Sequence, residues 1–307
     1  MLRQPSDAVL GGERVAFGRG TLFVSLSGQD VPADTIHALV ERMTREDGVE
    51  AFGLSTGFAA GGVDVGTRAA TTLREPRVAL VVGEGTDAGN AGELWHLLSE
   101  RMDVPVSLLD VRLLGTLDLS RYTTLLMAGG TYPPTATDPV KVFVQNGGTL
   151  IASGDAVAWA SGAGLATLTT RSAASRDSLL RTLPYADLAD ARGSGQLAGA
   201  LFEARVDPTH PLGYGLPERL TFFHEGSTFY APPTELGATV ARFTNDPLAA
   251  GYLPATRRAQ VQGALAAAAL RSGRGRVVLL PDNPAFRGFW LGTSALFMNA
   301  VMLSEAY

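Results

Sequence analysis

Residues 76–110, PRVALVVGEGTDAGNAGELWHLLSERMDVPVSLLD, decide the fold. They open on Val78-Ala79-Leu80-Val81-Val82, the kind of apolar run required of a strand buried on both faces. A glycine-rich turn follows, with Gly83, Gly85, Gly89 and Gly92. Residues 93–101 then read as a helix with Leu94, Leu97 and Leu98 on one face. Residues 104–109 supply a second apolar strand. This strand–loop–helix–strand unit predicts a parallel sheet covered by helices.

The pattern continues downstream. Residues 124–128 read as a third strand, ended by Gly129-Gly130. Residues 138–145 read as a short helix stopped at Asn146-Gly147-Gly148, residue types that accept left-handed backbone angles. Residues 149–153 form a fourth strand running into Gly154-Asp155-Ala156. The order predicts an α/β doubly wound sheet, with Leu80, Val82, Leu126 and Ile151 in its central core. Residues 160–200 turn Ala-, Ser-, Gly- and Arg-rich and read as helix plus irregular insertion. The remainder is β-rich, with strands at 201–206, 220–223 and 238–243. A hairpin pairs 264–270 with 276–280 through residues 271–275. Residues 292–305 read as an apolar terminal helix, anchored by Trp290 and Phe297.

Upstream, residues 1–72 read as a small α+β connector unit and 73–307 as the main domain. The expected elements of the first unit are a strand over 21–26 and a helix over 31–46. Asp34 is the expected N-cap of that helix, and Ile36, Leu39, Val40 and Met43 its apolar face. The first apolar segment arrives only after a loop-like lead-in, which suggests the back part of a longer protein.

Composition narrows the function classes. The 307 residues are 46% hydrophobic and 18% charged, an ordinary globular balance. A net charge of −5 argues against non-specific nucleic-acid binding. The absence of cysteine excludes disulfides, thiolate metal sites and a cysteine nucleophile. No apolar run has the length of a membrane span, and the first residues lack the charged-then-apolar pattern of a signal peptide.

Several residues invite chemistry. Gly83-x-Gly85 between strand and helix resembles a dinucleotide turn, with Asp110 placed to hold a ribose. Against this, Glu84 and Asp87 set two carboxylates where a pyrophosphate would lie, and a tight structural turn is the simpler reading. Ser153-Gly154-Asp155 follows a strand where open α/β sheets place active residues. The histidines are His37, His96, His210 and His224. Glu93-x-x-His96 has a metal-ligand spacing but lacks a second pair, so each histidine reads more simply as satisfied or solvent-facing. The clusters Arg257-Arg258 and Arg271, Arg274, Arg276 read as solvated turns, or as an anion or partner contact.

The segments AGELWHLL, VPVSLLD, SRYTTLLMAGGTY and FVQNGGTLIASGDAVAWA carry a resemblance. So do His210-Pro211-Leu212-Gly213-Tyr214-Gly215, SGRGRVVLL at 272–280 and NPAFRGFWLGT at 283–293. Together they look like the class I glutamine-amidotransferase-like domain at the C-terminal end of many bacterial zinc carboxypeptidases, with residues 18–66 as its connector. The resemblance implies a flavodoxin-like, mostly parallel sheet. It also implies a parent metallopeptidase whose upstream domain holds zinc and does the hydrolysis, and which is often exported. None of that zinc machinery matches a position here. The amidotransferase nucleophile corresponds to the turn Gly154-Asp155-Ala156, which has no cysteine.

Three functional readings follow. The first is a non-catalytic accessory domain, free of cofactor, packing on the peptidase domain of the same polypeptide, with a second copy as a further candidate partner. The second is a binding module for a polar, cationic or sugar-like ligand, lined by Gly83, Glu84, Asp87, Tyr132, Asp155 and Trp159. The third is a hydrolase using Asp155 or Ser153 with His96 or His224.

Overall fold

The computed structural model describes residues 1–173 and 177–306. Two compact units meet in sequence at position 74/75: Met1–Arg74 and Glu75–Glu305.

In the first unit, β1 (Ser6–Leu10) and β2 (Glu13–Phe17) form an antiparallel hairpin, and β3 (Gly61–Gly62) pairs on the other side of β1. Gly11 and Gly12 turn the hairpin with φ of 60° and 92°. Two successive positive φ angles suit a two-residue hairpin turn and favour glycine at both places. Helix α1 (Ala33–Glu46) starts from Pro32, whose φ of −59° and ψ of 147° set the entry. Asp34 therefore lies in the first turn, where it complements the helix dipole, and is not the N-cap. Of the expected apolar face only Ile36 is buried, and Leu39 is 47% exposed. The strand expected over 21–26 does not form, since the segment joins no ladder.

The second unit is built on one nine-stranded sheet. Strand β4 (Val78–Val82) leads through a loop to α2 (Ala88–Trp95), then to β5 (Val106–Asp110), β6 (Thr124–Met127), α3 (Thr137–Gln145), β7 (Thr149–Ser153) and α4 (Ala156–Gly162). The region at 160–200 contains β8 (Thr170–Arg171), α5 (Asp177–Thr182) and α6 (Leu188–Gly193); positions 174–176 of that reading lie outside the described residues. Then come β9 (Ala200–Val206), β10 (Arg219–His224), β11 (Phe229–Tyr230), β12 (Thr239–Gly251), α7 (Arg258–Val261), β13 (Leu265–Ser272), β14 (Gly275–Leu280) and α8 (Ser294–Met302).

The sheet order is β10-β9-β12-β13-β14-β7-β6-β4-β5. The five strands from β14 to β5 are mutually parallel. Numbered along the chain they give 2-1-3-4-5, the flavodoxin-like order. Strands β9, β10, β12 and β13 extend the same sheet in antiparallel fashion through the β13–β14 hairpin. That hairpin turns on Gly273 and Arg274 alone, because Ser272 pairs with Gly275; the expected five-residue connection is shorter.

Both faces of the sheet are covered, which makes the fold doubly wound. Leu80, Leu126, Ile151 and Val278 join Leu94, Leu97, Leu98, Leu296 and Phe297 of α2, its continuation and α8 on one face. Leu125, Leu150 and Val277 join Val140, Phe143 and Val144 of α3 and Val157 of α4 on the other. Val82 is only partly buried, because it ends its strand at the sheet's rim.

Helix α2 begins five residues before the expected start. Asp87 caps it by accepting from Asn90 N at 2.9 Å, and Ala91 and Leu94 pack inward, so Gly89 and Gly92 are helical despite their low propensity. A π-helical turn over His96–Arg101 continues it and directs both Leu97 and Leu98 into the core. Phe297 is fully buried in α8 as expected; Trp290 is half-buried and precedes the helix, so it does not anchor it from within.

Candidate functional site

In this strand order the switch point falls between β4 and β6, where open α/β sheets place ligands beyond the strand ends. The loops leaving these two strands meet there. Asp87 N donates to Gly129 O at 2.7 Å, Thr131 N donates to Gly85 O at 2.7 Å, and Thr86 and Gly130 form an isolated bridge. The approach requires glycine. A Cβ on Gly130, which has φ of 137°, would come within 2.6 Å of Gly85 O. The loops are thus zipped backbone to backbone across the switch point.

The six expected ligand residues sit around this seam. Gly83 and Glu84 are exposed at the end of β4, and Asp87 is spent on the helix cap. Tyr132 is buried, its hydroxyl donating to Ala128 O at 2.6 Å, and its ring meets Trp159 at 5.5 Å in the core beneath α4. Burial, with a lesser contribution from the Asp87 carboxylate, pushes the Tyr132 phenol upward. Asp155 is exposed before α4 and caps nothing with its side chain. The structure brings Tyr132 and Trp159 into contact, while Glu84 and Asp155 are exposed and joined by no hydrogen bond among the described residues. Asp110, the ribose candidate, is taken by Arg112, whose guanidinium donates to it at 2.6 Å and 3.0 Å. Those bonds hold its carboxyl at about 2.

A second polar group lies between α2 and the turn after β14. Asn283 Nδ2 donates to Asn90 Oδ1 at 2.5 Å and to Glu93 Oε2, while its own Oδ1 accepts from Ala285 N at 2.9 Å. Asn90 and Glu93 are three residues apart, hence neighbours on the helix surface. Burial raises the Glu93 pKa, opposed by hydrogen bonds from the Arg287 backbone and Asn283. Arg287 adopts a left-handed φ of 48°, uncommon for a residue with a side chain. Its N–H bond to Glu93 helps hold that conformation.

Beside this clamp, His224 and Asp282 form a buried pair, Nδ1 to Oδ1, at 2.5 Å. His224 stacks on Phe229 at 4.2 Å, with Phe202 and Phe243 around it. Among the described residues, His224 Nε2, Asp282 Oδ2 and Ser153 Oγ find no hydrogen-bond partner. His224 is engaged by Asp282 and not by Asp155, and His96 is exposed on the helix carrying Glu93. Sequence reading isolated His224-Glu225 but not Asp282. The signal for it was its position two residues beyond a strand end.

The strand-to-helix turn after β7 has left-handed backbone at Gly154, with φ of 58°. A nucleophile elbow holds its reactive side chain on such a sharp turn. Here that residue is glycine. Among the described residues no group of three or more His, Asp or Glu side chains is arranged to hold a metal ion, and no helix is long and apolar enough to cross a membrane.

No family model matches the chain, and no curated protein matches it. Similar solved structures include a protein described as ThuA-like from Parabacteroides merdae, 14% identical over 74% of this chain and 89% of that one, with a TM-score of 0.47. PurLQS from Thermotoga maritima is 13% identical over 74% of this chain and 97% of that one, with a TM-score of 0.48. A glutamine amidotransferase from Thermotoga maritima is 9% identical over 68% of this chain and 75% of that one, with a TM-score of 0.42. With each TM-score below 0.5, the fold assignment rests on this chain's own strand order.

Proposed function

We propose that this chain is a non-catalytic accessory module that packs on a partner domain, through its first unit. One observation carries the reading. Leu22, Val24, Leu26, Phe52 and Phe58 are between 48% and 79% exposed, and Leu39 leaves the apolar face of α1 open as well. Scattered exposed apolar residues are normal, but this density within residues 22–58 is what an interaction surface has. The occupant named by the sequence resemblance is a zinc-peptidase domain of the same polypeptide. Glycine at position 154 and the lack of any cysteine support the non-catalytic part of the reading.

The crevice reading is less favoured. Its six residues surround a seam closed by backbone hydrogen bonds, and Tyr132 is committed to the core. The hydrolase reading is less favoured as well: among the described residues no hydrogen bond joins His96 or His224 to Asp155 or Ser153, His224 Nδ1 being held by Asp282 and its Nε2 buried without a partner.

The test uses an apolar fluorescent dye. The purified chain is expected to bind the dye, less so with Leu22→Ser and Leu26→Ser together. Adding the peptidase domain encoded with it should displace the dye and co-elute. Dye signal unchanged by that domain, without co-elution, overturns the proposal.

A further inference from the structure

On the solvent face of the antiparallel half, three arginines stand in cross-strand register. Arg219 of β10 pairs with Arg205 of β9, and Arg205 pairs with Arg242 of β12. All three are exposed, while the alternate residues Phe202, Ala204, Val206, Phe222 and Phe243 form the core beneath. Like charges directly opposite one another on a sheet oppose folding. Two of the three are offset by acids: Arg219 donates to Glu203 at 2.7 Å, and Arg205 lies a looser 3.7 Å from Glu218. Arg242 has no hydrogen-bond or ion-pair partner among the described residues. Next to it on β12, Thr244 Oγ1 is buried and also without a partner. These residues line a depression of about 560 Å³, within the size range of small-molecule sites.

We infer that the cross-strand row Arg219–Arg205–Arg242, with Thr244, is a binding site for the phosphate group of a small phosphorylated molecule. Adjacent strands lie ~4.8 Å apart, so the guanidiniums of Arg205 and Arg242 can hold one oxyanion between them. A phosphate offers three oxygens, enough for two planar forks and a hydroxyl, whereas a carboxylate is filled by one fork. The carboxylates of Glu203, Glu218 and Asp246 in the same depression, with the chain's net charge of −5, disfavour a long polyanion such as nucleic acid. Glu203 holds the Arg219 guanidinium in an ion pair. The unpaired Arg242 supplies the attraction.

The experiment is calorimetric titration of the full chain with inorganic phosphate at constant ionic strength, repeated for three variants. Wild type and Arg274→Gln, which removes one exposed arginine elsewhere, should bind phosphate with one site per chain. Arg242→Gln should weaken binding by about tenfold or more, the worth of a charge-assisted hydrogen bond. Arg242→Lys keeps the charge but not the fork, so it should bind more weakly than wild type. No heat with wild type overturns the inference. So does equal binding by wild type and Arg242→Gln, which means an adventitious ion only. Thermal melting of each variant without phosphate confirms that the proteins compared are folded.

Discussion

His224 Nδ1 and Asp282 Oδ1 lie 2.5 Å apart, although the sheet order sets three strands, β9, β12 and β13, between β10 and β14. A flat sheet would hold β10 and β14 about 19 Å apart at ~4.8 Å per strand. The antiparallel half therefore curls, aided by the register shifts of β12 between Phe243 and Leu248, and the bond closes the curl around Phe202, Phe229 and Phe243.

Removing one partner of this pair leaves the other buried and unsatisfied. Asp282→Ala should cost about 1–3 kcal/mol, read as a lowered urea midpoint with unchanged slope. An unchanged midpoint would show that the pair contributes nothing to the curl.

His210 offers a titration with a definite sign. Burial lowers its pKa to about 4 from 6.5, opposed by the Asp207 carboxylate. The unfolded chain takes up the proton first. Its stabilising contribution is therefore full above 6.5 and is lost as pH falls toward about 4. An NMR pH titration should find the His210 ring titrating near the lower value. A midpoint close to 6.5 would mean that the ring is solvated.

Glu93 works in the opposite sense. Its pKa is raised above 4.5, chiefly by burial, so the folded state favours the protonated carboxyl. That contribution is present below 4.5 and is lost as pH rises through the folded value. Glu93→Gln keeps the neutral form at every pH. Relative to wild type it should gain stability as pH rises from about 4 to 8, and a difference constant with pH would refute the assignment.

Core truncations should separate strand centre from strand end. Leu126→Ala and Ile151→Ala, both fully buried, should each cost about 2–5 kcal/mol in urea unfolding. Val82→Ala, at the rim, should cost less than either. Equal costs would place the rim deeper than its partial burial indicates.

The parallel half was legible because its strands are buried on both faces and its turns carry glycine. Val78–Val82, Thr149–Ser153 and the Asn146-Gly147 helix stop needed no tertiary information. The start of α2 was hidden by Gly89 and Gly92, which mark loops by propensity yet are helical under packing from Ala91 and Leu94. In the first unit, the apolar residues at 21–26 read as a strand, while the hairpin that forms turns on Gly11-Gly12. Sequence placed six ligand candidates at the strand ends, but not the backbone seam that joins their loops. The neighbours of Asp282 and Arg242 were hidden for a related reason. They are set by cross-strand register and sheet curl, which leave no local pattern.

The most direct measurement is the size of the native polypeptide, by immunoblot of source cells with an antibody against this chain. The proposed packing on a peptidase domain of the same polypeptide predicts a band far larger than the 32.1 kDa of these residues. A band at 32.1 kDa would contradict it.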